Sequence, residues 1–440
     1  VYEMARPVPG RRLRKAPGEY TMALPLRPSW TVAQAAQMEM EAFAVQYLED
    51  APGVAEIEPV EARARLRAAF ERLPISRVLL GWNLPSALVE ACREEAHRAG
   101  ARLFRWHPLL TGDGAFVPRL EWRTVGLDGE PVPGFRGLPE FTFVCPNRPA
   151  VRKAVRRHLA EVIGSGAYDG VFLDRIRYPS PAADPTRLLA CFCDDCCRVA
   201  ADEGLDLEYV RQRIWALLST PARIEAFVRV LLDVQASVKT DLDLAALRTF
   251  LDFRARSVSR FVRTTCEQVR ARGLAIGLDC FSPALSYMVG QDLGALDAGC
   301  DWIKVMTYGH ALGPAGLPFE LLNLADWLVD RWSAGEPEAL EWLSRAARLP
   351  LPPTRDALRG EGLAPEALAA ETQRGRAAGV SPLFAGVELV EIEGLARLDR
   401  AQIVADLRAF RGADADGLVL SWDLWHIPLE RLDLAREAWL

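Results

Sequence analysis

The stretch Pro149–Arg177, PAVRKAVRRHLAEVIGSGAYDGVFLDRIR, holds one complete helix–turn–strand unit. Val151, Val155, Leu159 and Val162 recur three and four apart, the period of a helix with one apolar face. Pro149 stands where a first helical turn tolerates a residue without an N–H. Gly164 and Gly166 then punctuate the chain, and from Tyr168 the pattern shortens to an apolar run of strand length through Val171, Phe172 and Leu173. A helix that delivers the chain straight into a strand, repeatedly, implies parallel strands joined by right-handed crossovers.

The same unit recurs on both sides. Short apolar runs appear at Ser76–Asn83, Ala101–Leu109 and Phe141–Asn147 before Tyr168–Arg177. Others follow at Leu274–Ser282, Asp301–Gly309, Leu383–Val390 and Asp416–Trp425, eight in all. Between them lie amphipathic stretches, such as Val258, Phe261, Val262 and Val269 before Gly273, or Ile403, Leu407 and Phe410 behind a capping Asp399. Eight such repeats predict an α/β chain closed as a (β/α)8 TIM barrel rather than an open sheet. The barrel is expected over residues 55–440, with helical insertions at about 180–250 after the fourth strand and 310–380 after the sixth. Both insertions follow strand carboxyl ends and so overhang the barrel mouth. Residues 1–54 read as an amino-terminal extension packing on the barrel, with a helix over Val32–Leu48 and a possible extra strand at Tyr20–Pro25.

Composition narrows the function classes. Of 440 residues, 50% are hydrophobic and 25% charged, the balance of an ordinary globular enzyme. No run is long enough to predict a membrane span. A net charge of −6, with arginines scattered among acids, argues against a nucleic-acid partner. The amino terminus lacks a signal-peptide pattern, and the odd count of nine cysteines, several lone in apolar segments, suggests a reducing, cytoplasmic setting. Nothing in the pattern sets an oligomeric state.

In barrels of this kind the chemistry sits at strand carboxyl ends. A polar group stands at each of the eight: Asn83, His107, Asn147, Asp174, Asp279, Tyr308, Glu388 and Asp423. Carboxylates at matching positions of several strands are costly to bury for packing alone. Alternation puts Gly277 with Asp279, Gly386 with Glu388, Ser421 with Asp423, and Lys304 with Tyr308. Trp82, Trp106, Trp422 and Trp425 flank these ends as platforms for a sugar ring; parity also allows Trp82, Trp106 and Trp422 to face outward, so Trp425 is the better platform candidate.

The segment Tyr168–Pro179, YDGVFLDRIRYP, resembles the fourth-strand signature of glycoside-hydrolase-like (β/α)8 barrels. DWIKVMTYG at Asp301–Gly309 and the last run, Asp416–Trp425, are similar to late strands of such barrels. The resemblance implies cleavage of a glycosidic bond in a carbohydrate substrate, with Asp174 as an active-site carboxylate and no cofactor required for catalysis. Against the chitinase-like pattern, Asp169, Gly170 and Asp174 match, but Phe172 replaces the middle acid and Ile176 stands where the catalytic glutamate belongs. A chitinase mechanism is therefore not expected. The expected pair is Asp174 as nucleophile or base and Glu388 as acid/base, facing each other across the mouth, with Asp423 or Asp279 as substitutes for Glu388. Asn83, His107, Asn147, Arg175, Arg177, Tyr178, Lys304, Tyr308 and Trp425 are the expected substrate-binding set. Two rivals are a Schiff-base aldolase or lyase using Lys304 and a non-catalytic carbohydrate-binding barrel.

Finally, Cys191, Cys193, Cys196 and Cys197 crowd into CFCDDCC, where Cys193 and Cys196 have zinc-ligand spacing. A structural zinc ion is one reading, with Cys191 as third ligand and Cys197 or a residue distant in sequence as fourth. Packed reduced thiols and a disulfide are the others. The resembling barrels often carry such a cluster at this place, which makes it part of the loop architecture rather than of the chemistry.

Overall fold

The computed structural model describes residues 42–49, 56–238 and 240–440. Eight parallel strands close into a barrel in chain order. They are β1 Phe43–Tyr47, β2 Ile75–Leu80, β3 Arg102–Pro108, β4 Gly170–Asp174, β5 Ala275–Phe281, β6 Trp302–Met306, β7 Leu383–Glu388 and β8 Gly417–Ser421. β8 pairs back onto β1, so no sheet edge is left open. The expected (β/α)8 TIM barrel is the fold.

Two sequence expectations are corrected. Phe43–Tyr47, assigned above to a helix and to an extension outside the barrel, is its first strand. Phe43, Val45 and Tyr47 have strong strand preference, but they follow AQAAQMEMEA, whose helix-forming composition masks the period of two. Phe141–Asn147, expected as the third strand, makes only a lone antiparallel bridge, Val144 with Arg123. Pro139 stands just before it and Pro146 inside it, and a proline cannot donate to a ladder. The two errors cancel, so the strand carrying Asp174 is still the fourth. Tyr20–Pro25 lies outside the described residues.

Inside the barrel, alternate residues stack in layers. Ala44, Leu79, Phe104, Phe172, Trp302, Phe384 and Val419 form an apolar plug with Trp82 and Trp106. Phe172 and Trp302 stack with centroids 5.1 Å apart and an interplanar angle of 9°. Gly277 makes the room, since a Cβ there would come within 2.4 Å of the Trp302 ring. The larger core lies outside, between strands and helices. There the helix Pro149–Ile163 buries Val151, Val155 and Leu159 as the spacing predicts, but ends its stripe on Ile163 rather than Val162.

Both expected elaborations are present. After β4 come Asp194–Asp202, Leu207–Leu218 and Ile224–Leu232 before the 29-residue helix Leu242–Arg270. After β6 come Leu317–Trp332, Glu336–Ala347 and Arg355–Glu361 before Pro365–Ala377. A third long connection, 109–148 after β3, carries only short 3₁₀ turns and was not anticipated. Among the described residues no helix is long and apolar enough to cross a membrane.

Candidate active site

At the carboxyl ends of the strands lies a cavity of about 270 Å³. Its polar lining comes from Gln46 and Glu49 at the end of β1, Asp174, Arg175 and Arg177 at β4, Asp279 on β5, Tyr308 after β6, and Asp423 and His426 after β8. Trp106, Phe141, Met306 and Trp422 supply apolar and aromatic walls. A second cavity of about 280 Å³ shares Phe141, Arg177 and Pro314 with the first and continues past Phe143, Phe319 and Glu320.

Asp174 and Asp279 are in register. Leu173 pairs with Leu278 across β4 and β5, and the two acids lie one step further on, both on the inward face with Phe172 and Gly277. Asp174 Oδ2 accepts a hydrogen bond from Trp106 Nε1 at 3.0 Å, and Oδ1 accepts from the backbone N–H of Arg175. Asp279 Oδ2 accepts from Lys304 Nζ at 3.0 Å, while its Oδ1 is buried with no hydrogen-bond partner among the described residues. Burial pushes the Asp279 carboxyl up to about 7; Lys304 opposes that shift and the neighbouring Asp174 adds to it. Asp279 can therefore exchange a proton near neutrality. Lys304 is 0% exposed and also donates to Gln46 Oε1 at 3.2 Å. Its ion pair is thus with Asp279 rather than with Asp174 or Glu388.

Arginines frame the acids. Arg175, in the left-handed region at φ 52°, lies over Trp82 and Phe141 and reaches Glu49 at 3.6 Å and Asp174 at 3.9 Å. Glu49 keeps 31% of its side chain exposed. Its carboxyl is pushed up to about 7 by burial, against the pull of Arg175 and with added repulsion from Asp423 and Asp174. Arg177 is sandwiched between Phe143 and Phe281, 4.4 and 4.3 Å from their centroids, at the junction of the two cavities. Tyr308 donates to Ser421 Oγ at 3.0 Å and packs on Trp422.

Of the remaining expected site residues, Asp423 lines the cavity and the others lie outside its lining. Glu388 does not line the cavity: its Oε1 accepts the His310 backbone N–H, and His310 Nε2 is 2.9 Å from Asp406. Burial pushes Glu388 up to about 7, with His310 pulling it down. Asp423 does line the cavity, yet both its oxygens accept backbone N–H groups, of Leu48 and Trp425 at 2.9 Å and of Glu49 at 3.1 Å. It ties the end of β8 to the end of β1. His107 points outward toward His158, which pairs with Asp113 at 2.7 Å, and burial pushes the His107 imidazole down to about 3. Asn83 is exposed away from the cavity, and Tyr178 is buried under Arg254. Trp425 is outside the lining, whereas Trp106 and Trp422, which parity allowed to face outward, are in it. For Trp106 the reason is parity: it shares the inward face of β3 with Phe104.

The cysteine cluster is corrected in one member. The sulfurs of Cys145, Cys191, Cys193 and Cys196 all lie within 4.8 Å of one another, close enough to bind a metal. Cys197 is exposed on the far side of its helical turn, its Sγ near Phe192 O. Asn147, expected at the substrate, instead donates from Nδ2 to Cys196 Sγ at 3.4 Å and to Ser257 Oγ at 2.9 Å.

Sequence reasoning missed Gln46 and Glu49, because β1 was hidden, and the loop residues Phe141, Pro314, Val390 and Ile392, which no local pattern marks. Alternation along Phe43–Tyr47 puts Gln46 on the inward face with Ala44; Glu49 has the opposite parity and reaches the cavity only because Leu48 leaves strand geometry at φ 52°.

No protein-family model and no curated protein matches the sequence. Among solved structures, the chain is similar to the β-galactosidase of the psychrophilic Marinomonas ef1, at 13% identity and a TM-score of 0.51, covering 90% of this chain and 59% of that one. It is also similar to the glycoside hydrolase domain of PgaB (BpsB) from Bordetella bronchiseptica, at 12% identity and a TM-score of 0.49, covering 89% and 98%. A class V chitininase from Pseudomonas fluorescens Pf-5 follows at 11% identity and 0.45, covering 90% and 99%. At such identities the likeness concerns the barrel fold.

Proposed function

We propose that this chain hydrolyses a glycosidic bond of a carbohydrate, with Asp174 as nucleophile and Asp279 as general acid in place of Glu388. One observation carries the reading: the two carboxylates stand at matching inward positions of neighbouring strands, Asp174 ending β4 and Asp279 two residues before the end of β5, and line one aromatic-rimmed cavity. Adjacent strands run about 4.8 Å apart, and carboxyl groups about 5 Å apart suit a retaining double displacement. Asp279, protonated near neutrality, gives its proton to the leaving glycosidic oxygen as Asp174 attacks the anomeric carbon. The Asp279 carboxylate then takes a proton from water, which cleaves the glycosyl ester and frees Asp174. Lys304 holds one oxygen of Asp279 and leaves the other for the proton. Arg175 and Arg177 donate to hydroxyls, while Trp422, partly exposed in the cavity, offers a face to a sugar ring. A glycosidic substrate is what the name β-galactosidase states for the Marinomonas enzyme; for this chain it is part of the proposal. No cofactor is asked for at the scissile bond, and zinc at the cysteine cluster has a structural part only.

A second reading exchanges Asp279 for Glu49, the more exposed acid, separated from Asp174 by the Arg175 guanidinium. A wider pair, roughly 6.5–9.5 Å apart, would invert the anomeric centre. The aldolase alternative is disfavoured by the engagement of Lys304 Nζ with two partners.

The test is a panel of 4-methylumbelliferyl glycosides and soluble polysaccharides, with product stereochemistry followed by NMR. Retained configuration, abolished by Asp174→Asn and Asp279→Asn, supports the pair; inversion lost in Glu49→Gln shifts the acid to Glu49. Sugar binding without turnover would make the chain a binding barrel, and borohydride trapping of a carbonyl substrate on Lys304 would make it a lyase.

A further inference from the structure

The four clustered thiols line neither cavity, and the proposed hydrolysis makes no use of them. They come from two separate connections: Cys145 from the one after β3, and Cys191, Cys193 and Cys196 from the one after β4. Cys145 Sγ lies 3.4 Å from Cys196 Sγ and 3.7 Å from Cys193 Sγ. These separations are far beyond an S–S bond of about 2.05 Å. They match a zinc tetrahedron, in which Zn–S bonds of about 2.3 Å put sulfurs about 3.8 Å apart.

The surroundings suit charged sulfur. Val125 N–H donates to Cys191 Sγ at 3.3 Å, Asn147 N–H to Cys145 Sγ at 3.4 Å and Asn147 Nδ2 to Cys196 Sγ at 3.4 Å. Such N–H donors around the ligand atoms fix their orientation. Arg148 Nη1, from the first connection, lies 3.3 Å from Asp195 Oδ2, beside Cys196 in the second.

We propose that Cys145, Cys191, Cys193 and Cys196 bind one zinc ion, and that this ion clamps together the two connections that wall the second cavity. Phe135 and Phe143 face that cavity from the first connection, and Ser180 and Arg187 from the second. The direct backbone tie near the cluster is slight: Phe192 N–H to Val125 O at 2.9 Å. A metal cross-link between segments so far apart in sequence restricts the open chain and adds its binding energy to the folded form. The zinc therefore sets the shape of the groove beyond Arg177 without touching the reacting bond.

The experiment is metal analysis of the purified chain, followed by cobalt exchange and limited proteolysis with and without a chelator. About one zinc per chain is expected, kept in Cys197→Ser and lost in Cys145→Ser. The cobalt form of the unmodified chain should show the charge-transfer and d–d bands of a tetrahedral four-thiolate site. This spectrum decides the matter should Cys145→Ser fail to fold. Chelation should open residues 109–148 or 179–197 to protease. No stoichiometric zinc after reconstitution, retention in Cys145→Ser, or a cobalt spectrum without four thiolates overturns the site. Equal protease resistance with and without the metal overturns the clamp. None of these readouts depends on glycoside turnover, so failure here and failure of the hydrolase reading are separable.

Discussion

Two layers of the barrel interior, two residues apart on the same strands, have opposite chemistry. The lower holds Ala44, Phe104, Phe172, Trp302, Phe384 and Val419, interlocked rings and methyl groups. The upper, in the same strands, holds Gln46, Trp106, Asp174, Lys304, Gly386 and Ser421, with Asp279 standing above Gly277. The lower layer is held by dispersion and water exclusion. The upper is held by matched charge and hydrogen bonding, and each of its polar atoms costs stability unless it is paired or used. Large residues below demand small ones beside them: Gly277 admits Trp302, and Gly386 admits the Lys304 stem, which a Cβ would approach to 2.8 Å. One strand thus serves packing at its middle and chemistry at its end.

Substitutions in each layer test that division. Asp174→Asn, in the upper layer, should lower kcat/KM by about 10³-fold or more while leaving the melting temperature within a few degrees. A thermal collapse with unchanged turnover per folded molecule would instead make the upper layer structural. Asp279→Asn should cost about 10²–10⁴-fold and change the pH profile. A general acid works protonated, so the rate of the unmodified chain falls as pH rises through about 7; the variant should lose that limb. Trp302→Ala, in the lower layer, should lower unfolding free energy by about 3–5 kcal/mol in a denaturant titration, with kcat of the folded fraction changed only a few-fold. Trp106→Phe straddles the layers. It keeps an aromatic ring, though a smaller one, and removes the Nε1–H to Asp174 at 3.0 Å; a hydrogen bond to a charged group contributes about 1.5–3 kcal/mol. A ten- to hundredfold loss of kcat with little change in stability would assign Trp106 to the upper layer.

Much of this was legible in the chain. Helix stripes and seven of the eight strands follow local period, because side-chain direction in a helix or strand is fixed by backbone geometry. Asp174, Asp279, Arg175, Arg177 and Tyr308 were found at strand ends because closure of a parallel barrel gathers those ends at one mouth. The strand at Phe43–Tyr47 was not legible, being short and preceded by helix-forming residues, and Glu49 was lost with it.

The amino-acid sequence by itself determined the repeat, hence the barrel, and the residue types presented at its mouth. Tertiary structure alone decided which of those residues meet. It turned Glu388 to the His310 backbone, spent Asp423 on tying β8 to β1, set Asp279 beside Asp174, and brought Cys145 across from another connection to complete the thiol cluster. The physical reason is range. Period and propensity act over a few residues, whereas strand register, loop packing and the pairing of buried charge join residues far apart in the chain.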